Sequence, residues 1–124
     1  MRRPLGMALL LLATLATGTS QSQFAGKWQS RLSRVTKKPA ITVNFVEHDQ
    51  ELAGIVVLVN PPDGSEVEGP ILNVKASGNV IKFESTVSGD IFYWNLTLKK
   101  SGSNRALLHG SCREMLIDES VKRH

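Results

Sequence analysis

The chain has 124 residues, with 15 Lys and Arg against 11 Asp and Glu, and a single cysteine. After the apolar start is set aside, this length suits one domain, and no dense basic cluster of the kind that binds nucleic acid or anionic membranes is present. One cysteine excludes an internal disulfide, so the domain depends on its core for stability.

The first 20 residues have the features of a secretory leader. Arg2 and Arg3 precede a short apolar run from Met7 to Thr17, and small residues follow it, which is the order found in a cleaved signal peptide. The run falls short of the roughly 20 apolar residues that span a bilayer. We therefore predict a signal peptide over residues 1–20, cleaved near residues 18–20. The mature chain, residues 21–124, is expected to be secreted or periplasmic, without a transmembrane span.

The first half of the mature chain alternates apolar and polar residues in short runs, a pattern typical of strands. The first predicted strand starts at about Gly26, and three more follow at 41–46, 52–59 and 66–75. A loop at 60–64 is indicated by two prolines and an Asp-Gly pair. We expect the fourth strand to be interrupted near Gly69.

The second half shows the cleanest alternation in the sequence. Three strands are predicted there, at 81–86, 92–99 and 105–113. The tail from Glu114 fits either an eighth strand or a short helix, because Met115-Leu116-Ile117 is apolar without a clear period.

Seven or eight strands with tight turns predict an all-β fold. Turns about every 8 to 12 residues favour an antiparallel up-and-down meander closed into a small barrel, with a β-sandwich as the alternative. Closure also removes exposed strand edges, which favour pairing with other chains. Residues 21–124 are therefore predicted to form a single β-barrel domain.

Gly26-Lys27-Trp28 at the head of the first strand resembles the Gly-x-Trp signature of calycins, the lipocalin and avidin-like barrels. In that family the tryptophan closes one end of the barrel, and a basic residue from the last strand packs across its ring. The resemblance implies that Gly26, Trp28 and Arg113 close the barrel, with Arg105 as the second choice for the basic residue. A pocket for a small apolar molecule is the function implied by the same resemblance.

Catalytic and metal-binding patterns are weak in this sequence. No Gly-x-Ser-x-Gly, His-Glu-x-x-His or phosphate-binding glycine loop is present. His109 and Cys112 are three residues apart, and a regular strand places them on opposite faces. His48, Asp49 and Glu51 lie in or beside a predicted turn, whereas a metal site needs three or four convergent ligands. We expect no enzymatic activity, no metal and no cofactor.

The aromatic residues are the better guide to function. Phe45, Phe83, Phe92 and Trp94 fall on the apolar faces of their predicted strands. An eight-stranded barrel is just wide enough to be filled by side chains or to hold one small ligand. We therefore predict an exported binding protein in which these four residues contact a small apolar or amphipathic ligand.

The alternative interpretation is a structural or interaction module with a filled core. Its contact surface would be the Pro61-Pro62 loop together with Tyr93, Asn95 and Thr97, which alternate with the apolar residues of their strand and so face outward. Its partner would be another envelope or secreted protein, and neither interpretation involves nucleic acid.

Overall fold

The computed structural model describes residues 21–124, which form a closed antiparallel barrel in which each strand pairs with its neighbour in sequence. The predicted up-and-down barrel is confirmed, and the sandwich is excluded. The predicted leader lies outside the described residues. No helix within 21–124 is long and apolar enough to cross a membrane.

The barrel has eight strands. They are β1 (Gly26–Gln29), β2 (Ile41–His48), β3 (Glu51–Asn60), β4 (Ser65–Ser77), β5 (Val80–Val87), β6 (Asp90–Leu98), β7 (Arg105–Cys112) and β8 (Met115–Arg123).

Two strands differ from the sequence-based expectation. The ambiguous tail is β8, a full strand paired with every residue of β7. β4 is not interrupted near Gly69; its pairing with β5 shifts register between Leu72 and Lys75 instead. Gly69 does not interrupt the strand; it allows β4 and β5 to approach closely. A Cβ at this position would overlap the carbonyl oxygen of Thr86 on β5.

The connections divide between the two ends of the barrel. One end, which we call the base, carries the turns at 49–50, 78–79 and 99–104. The other, which we call the open end, carries the connections at 30–40, 61–64, 88–89 and 113–114. Antiparallel alternation places β1 so that it begins at the base, and β8 so that it ends there.

A layer of aromatic rings fills the middle of the barrel. Phe45 meets Phe83 edge-on at 5.1 Å between ring centroids, and Trp94 stacks between Phe83 and Phe92 at 6.4 and 5.6 Å. The indole Nε1 of Trp94 donates a hydrogen bond to the Ser85 hydroxyl at 2.9 Å, which satisfies its one polar group. All four rings are buried. The middle of the barrel is therefore solid core.

Gly110 shows how closely this layer is packed. It lies directly across the β6–β7 ladder from Trp94, and a Cβ on Gly110 would overlap the six-membered ring of that indole. The flat ring covers the space that a side chain on β7 would otherwise occupy.

Truncating the layer is expected to destabilise the fold strongly. Trp94→Ala should lower the free energy of unfolding by about 3–5 kcal/mol, because it leaves a cavity and an unpaired Ser85. Gly110→Ala should cost about 1–3 kcal/mol through overpacking. Urea unfolding followed by circular dichroism measures both changes. Tyr93→Ala, on the outer face of the same strand, is the control and should change stability by less than about 0.5 kcal/mol. Equal stability of the Trp94 and Tyr93 variants would contradict a packed core.

The seam between β1 and β8 is the shortest in the barrel. Only Trp28 with Arg123 and Gln29 with Lys122 are paired there, whereas each other pair of neighbouring strands shares four or more residue pairs. Beyond Gln29 the chain stays with β2, since Ser30 N–H donates to the Ile41 carbonyl at 3.1 Å. The first strand therefore pairs with only the last two residues of β8.

Among residues 21–124, the backbone of β8 beyond this seam has no partner on one side. His124 N–H donates to the Lys27 carbonyl, so alternation directs the backbone groups of the even-numbered residues of β8 toward β1. Within residues 21–124, no hydrogen bond is made by the backbone of Leu116, Asp118 or Ser120 on that side. We call the space between these three residues and segment 30–32 the lateral gap.

Amide hydrogen exchange measured by NMR is expected to reveal the lateral gap. The N–H groups of Leu116, Asp118 and Ser120 should exchange fast, because nothing in the barrel wall accepts them. Those of the intervening odd-numbered residues should be protected by the ladder with β7. Uniform protection along β8 would show that the gap is closed in solution.

Candidate functional site

The segment 21–25 covers the base of the barrel. The side chain of Phe24, which belongs to this segment, is fully buried. The Phe24 carbonyl accepts a hydrogen bond from Trp28 Nε1 at 2.9 Å. Gln23 Nε2 donates to the Gly78 carbonyl at 2.8 Å, and the Ser101 hydroxyl donates to Gln23 Oε1 at 3.2 Å. The segment is thus tied to two of the three base turns, and the base is closed.

Arg123 packs across Trp28 at this closed base. The centre of its guanidinium group lies 4.6 Å from the indole centroid, a cation–π contact. Gly26 makes room for it, since a Cβ on Gly26 would come within 2.8 Å of Arg123 Cδ. Gly26, Trp28 and Arg123 therefore meet at the closed base.

The guanidinium of Arg123 also joins three parts of the chain by hydrogen bonds. Its Nη1 donates to the carbonyls of Gln23 and Ala25 at 2.6 and 3.1 Å, and its Nη2 donates to the Ser103 carbonyl at 2.8 Å. Its Nε donates to Asn104 Oδ1 at 3.0 Å. One side chain therefore fixes the base segment and the β6–β7 turn to the end of β8.

The prediction that Arg113 closes the barrel is wrong. Arg113 lies in the β7–β8 turn at the open end, with 84% of its side chain exposed, and its Nη2 is 3.2 Å from Asp90 Oδ1. Arg105, the second choice, is exposed opposite Lys122. The family pattern places the basic residue on the last strand. That strand is β8, which the sequence left ambiguous, so its terminal arginine was missed.

Arg123→Ala is expected to lower the free energy of unfolding by about 2–4 kcal/mol, through loss of the cation–π contact and several charge-assisted hydrogen bonds. Arg113→Ala is the matched control, and its exposed ion pair should contribute less than about 1 kcal/mol. Urea denaturation of the two variants against the parent protein makes the comparison. A larger loss from Arg113→Ala would overturn the assignment of the closure.

A cavity of about 400 Å³ lies at the open end, on the far side of the aromatic layer from the base. Its lining is mainly apolar and includes Ile41, Leu58, Val67, Val87, Phe92 and Ile117. Of the four residues predicted to contact a ligand, Phe92 alone lines this cavity. Phe45, Phe83 and Trp94 lie deeper, in the packed core. Alternation along a strand predicted the face of each residue but not its depth.

Two carboxylates flank the apolar lining. Asp90 is engaged by Arg113 at the rim. Glu119 faces inward on β8, opposite Leu108 on β7, and is half-buried. No ion pair or side-chain hydrogen bond joins Glu119 to any other residue described between 21 and 124. The cavity therefore has an apolar body and a free carboxylate at its edge.

A neighbouring cleft lies beside the cavity. It has a volume of about 900 Å³ and follows the lateral gap, with Ser30 and Leu32 on one side and Ser120 on the other. Glu119 lines both the cleft and the cavity. The cleft and the cavity therefore adjoin at Glu119.

The outer face of the barrel agrees with the predicted alternation. Tyr93 is 55% exposed, Thr97 is exposed, and Asn95 is half-buried. His109 faces outward and contacts Asp118, whereas Cys112 is buried, so these two residues lie on opposite faces as their spacing predicts.

Metal ligands do not converge in the described part of the chain. His48 and Asp49 form an exposed contact of 3.4 Å in the β2–β3 turn. Across residues 21–124 no three His, Cys, Asp or Glu side chains are grouped to hold a metal ion.

The β3–β4 turn at the rim is held by its own hydrogen bonds. Ser65 N–H donates to Asp63 Oδ1 at 2.9 Å, and this bond lowers the pKa of the Asp63 carboxyl below its usual value. Lys38 on the 30–40 connection donates to the Gly64 carbonyl at 2.9 Å. Two rim connections are thereby joined beside the cavity.

Comparison with known proteins adds no further assignment. No protein-family model matches the sequence, and neither a curated protein nor a solved structure matches the chain.

Proposed function

We propose that this chain is an exported, calycin-like binding protein that holds one small apolar or amphipathic molecule at the open end of its barrel. The observation that carries the proposal is the apolar cavity of about 400 Å³ opposite the closed base. Small-molecule pockets usually have volumes of about 300–1,000 Å³, with apolar walls and a few polar groups.

The closed base supports the family resemblance. The Gly26-Lys27-Trp28 signature heads β1, and a basic residue from the last strand packs across the indole. This arrangement agrees with the calycin pattern once Arg123 takes the place expected of Arg113. Export is supported by the leader-like order of residues 1–20.

The lining of the cavity determines which part of a ligand would enter it. Val67, Val87 and Ile117 favour an apolar group, because burial stabilises by about 25 cal/mol per Å² of apolar surface. The rim offers Asp90 and the free carboxylate of Glu119 to a polar group. An amphipathic molecule would therefore enter with its apolar end first.

The test is to express the full chain with its leader, purify the exported protein, denature it in organic solvent and analyse the extract by mass spectrometry. A hydrophobic compound in stoichiometric amount is expected, together with a protein mass that fixes the cleavage site near residues 18–20. Ile117→Trp fills the cavity and should abolish the bound compound. Leu116→Trp adds the same bulk to the outer face and should leave it bound.

Two results would contradict the proposal. One is a folded Ile117→Trp variant that retains the compound in full amount. The other is a parent protein that is empty and has the same stability before and after extraction.

The second candidate function is the interaction module. It is favoured by the solid aromatic layer, which restricts any cavity to the open end, and by apolar side chains exposed on the outer wall. Tyr93, Ser111 and Leu116 form one row across β6, β7 and β8, and Leu116 is 68% exposed. Under this proposal, changing Tyr93 or the Pro61-Pro62 loop would abolish binding to another exported protein, whereas Ile117→Trp would not.

A further inference from the structure

The fold gathers on one side of the barrel cations that are dispersed in the sequence. The cleft along the lateral gap is lined by Arg31, Lys99, Arg105 and Lys122, together with His124. The four Lys and Arg residues come from β8, from the start of β7 and from the connections after β1 and β6. All four are exposed. We call this surface the basic cleft, and no single stretch of the sequence contains it.

Three of these cations lie in one row across neighbouring strands. Arg105 on β7 is directly opposite Lys122 on β8. On its other side, Lys99 continues the β6–β7 register, and its N–H donates to the Arg105 carbonyl at 3.2 Å. Residues opposite each other in an antiparallel pair lie on the same face, with Cα atoms about 4.5–5.5 Å apart. The row therefore carries mutual repulsion, because like charges directly opposite each other destabilise a sheet.

Carboxylates of the described chain do not relieve this repulsion. None of the ion pairs formed within residues 21–124 involves a Lys or Arg of the basic cleft. Among the described lining residues, Glu119 is the one carboxylate side chain. It lies on the inward face of β8 and also lines the apolar cavity, whereas Lys122 is exposed on the outward face. The outward row is therefore left for an anion from another molecule.

The exposure of these side chains determines how many charges such a molecule must carry. An exposed ion pair contributes little alone, because water and salt screen it. A single anionic group is therefore held weakly, whereas a molecule with several such groups engages the row and Arg31 together. The planar guanidinium groups of Arg31 and Arg105 suit oxyanions, with which they form two parallel hydrogen bonds.

The remaining lining residues distinguish among polyanions. Ser120 is exposed beside the row and offers a hydroxyl group, and no Phe, Tyr or Trp of residues 21–124 lines the cleft. Proteins that bind single-stranded nucleic acid stack its bases on aromatic side chains. A cleft that combines cations with a hydroxyl group and lacks such rings suits a sugar chain better than a nucleic acid.

We propose that the basic cleft binds an acidic polysaccharide, a sugar chain that carries sulfate or carboxylate groups. Lys99, Arg105 and Lys122 contact successive anionic groups, and Arg31 at the border of the lateral gap contacts a further one. Binding offsets the repulsion within the row. This inference goes beyond the proposed function, because it uses the outer wall of the barrel and needs neither the apolar cavity nor a small ligand.

A heparin-derived hexasaccharide, which is densely sulfated, is the first probe. It is titrated into the exported protein, and isothermal titration calorimetry gives the dissociation constant. Binding should weaken about tenfold or more between about 50 and 300 mM NaCl, because salt screens exposed charges. The double variant Arg105→Gln with Lys122→Gln should also bind about tenfold more weakly or less, because it removes two charges of the row. Absence of binding at low salt would overturn the proposal.

A second pair of opposed lysines gives the matched control. Lys75 on β4 is directly opposite Lys82 on β5, both are exposed, and neither lines the basic cleft. Lys75→Gln with Lys82→Gln removes the same net charge and should change the dissociation constant by less than about twofold. Urea unfolding verifies that both double variants are folded. Equal weakening by the two would show attraction to net charge alone and overturn the assignment of the cleft.

Other polyanions test the class of ligand. A hexagalacturonate is titrated beside the heparin hexasaccharide, and the tighter of the two identifies carboxylate or sulfate as the group recognised. A single-stranded oligonucleotide of equal charge should bind more weakly than the preferred sugar chain. Tighter binding of the oligonucleotide, or of vesicles containing phosphatidylglycerol, would overturn the polysaccharide proposal.

The cavity and the basic cleft are separated by one variant. Ile117→Trp fills the cavity and should leave the affinity for the hexasaccharide unchanged. A protein that yields no compound on extraction but binds the hexasaccharide through Arg105 and Lys122 would remove the small-molecule function and leave polysaccharide binding standing.

Discussion

The contact of Arg123 with Trp28 is the interaction on which closure of this barrel depends. β1 has only four residues and meets β8 at two positions, so the backbone ladder alone joins the first and last strands weakly. The guanidinium adds a cation–π contact and donates to carbonyls from the base segment and the β6–β7 turn. In a domain without an internal disulfide, this one side chain replaces the missing length of ladder at the base.

The same short seam explains the opposite end. After Gln29 the chain remains hydrogen-bonded to β2 through Ser30 and separates from β8. Within residues 21–124, the backbone of Leu116, Asp118 and Ser120 on β8 therefore has no partner on this side. The lateral gap is a result of this early departure of β1, whereas the base is closed by the segment 21–25 and by Arg123. A longer β1 would close the gap and remove the free edge together.

The alternation of apolar and polar residues predicted the strands well where one face is buried and the other exposed, as in β5 and β6. Successive side chains of a strand point to opposite faces of the sheet, so a buried face and an exposed face give an alternating sequence. The alternation failed at β8, where Met115 and Leu116 are both exposed apolar residues and hide the period. That failure moved the expected closure to Arg113. Reading Ile117, Glu119, Val121 and Arg123 as one face would have identified Arg123. Depth along the barrel axis has no signature in alternation, so Phe92 was not distinguished from Trp94.

Glu119 shows how the open wall changes the electrostatics of the interior. A carboxylate buried in a closed apolar barrel would have to be paired or neutralised. Here Glu119 is half-buried and lines both the cavity and the neighbouring cleft, while Val121 beside it is buried in the core. An occupant that covered Glu119 would remove water from its carboxylate, and the loss of solvation would then have to be offset by a donor or a positive charge on the occupant. The wall and the carboxylate together therefore favour occupants that carry both an apolar group and a hydrogen-bonding or basic one, and disfavour purely apolar ones.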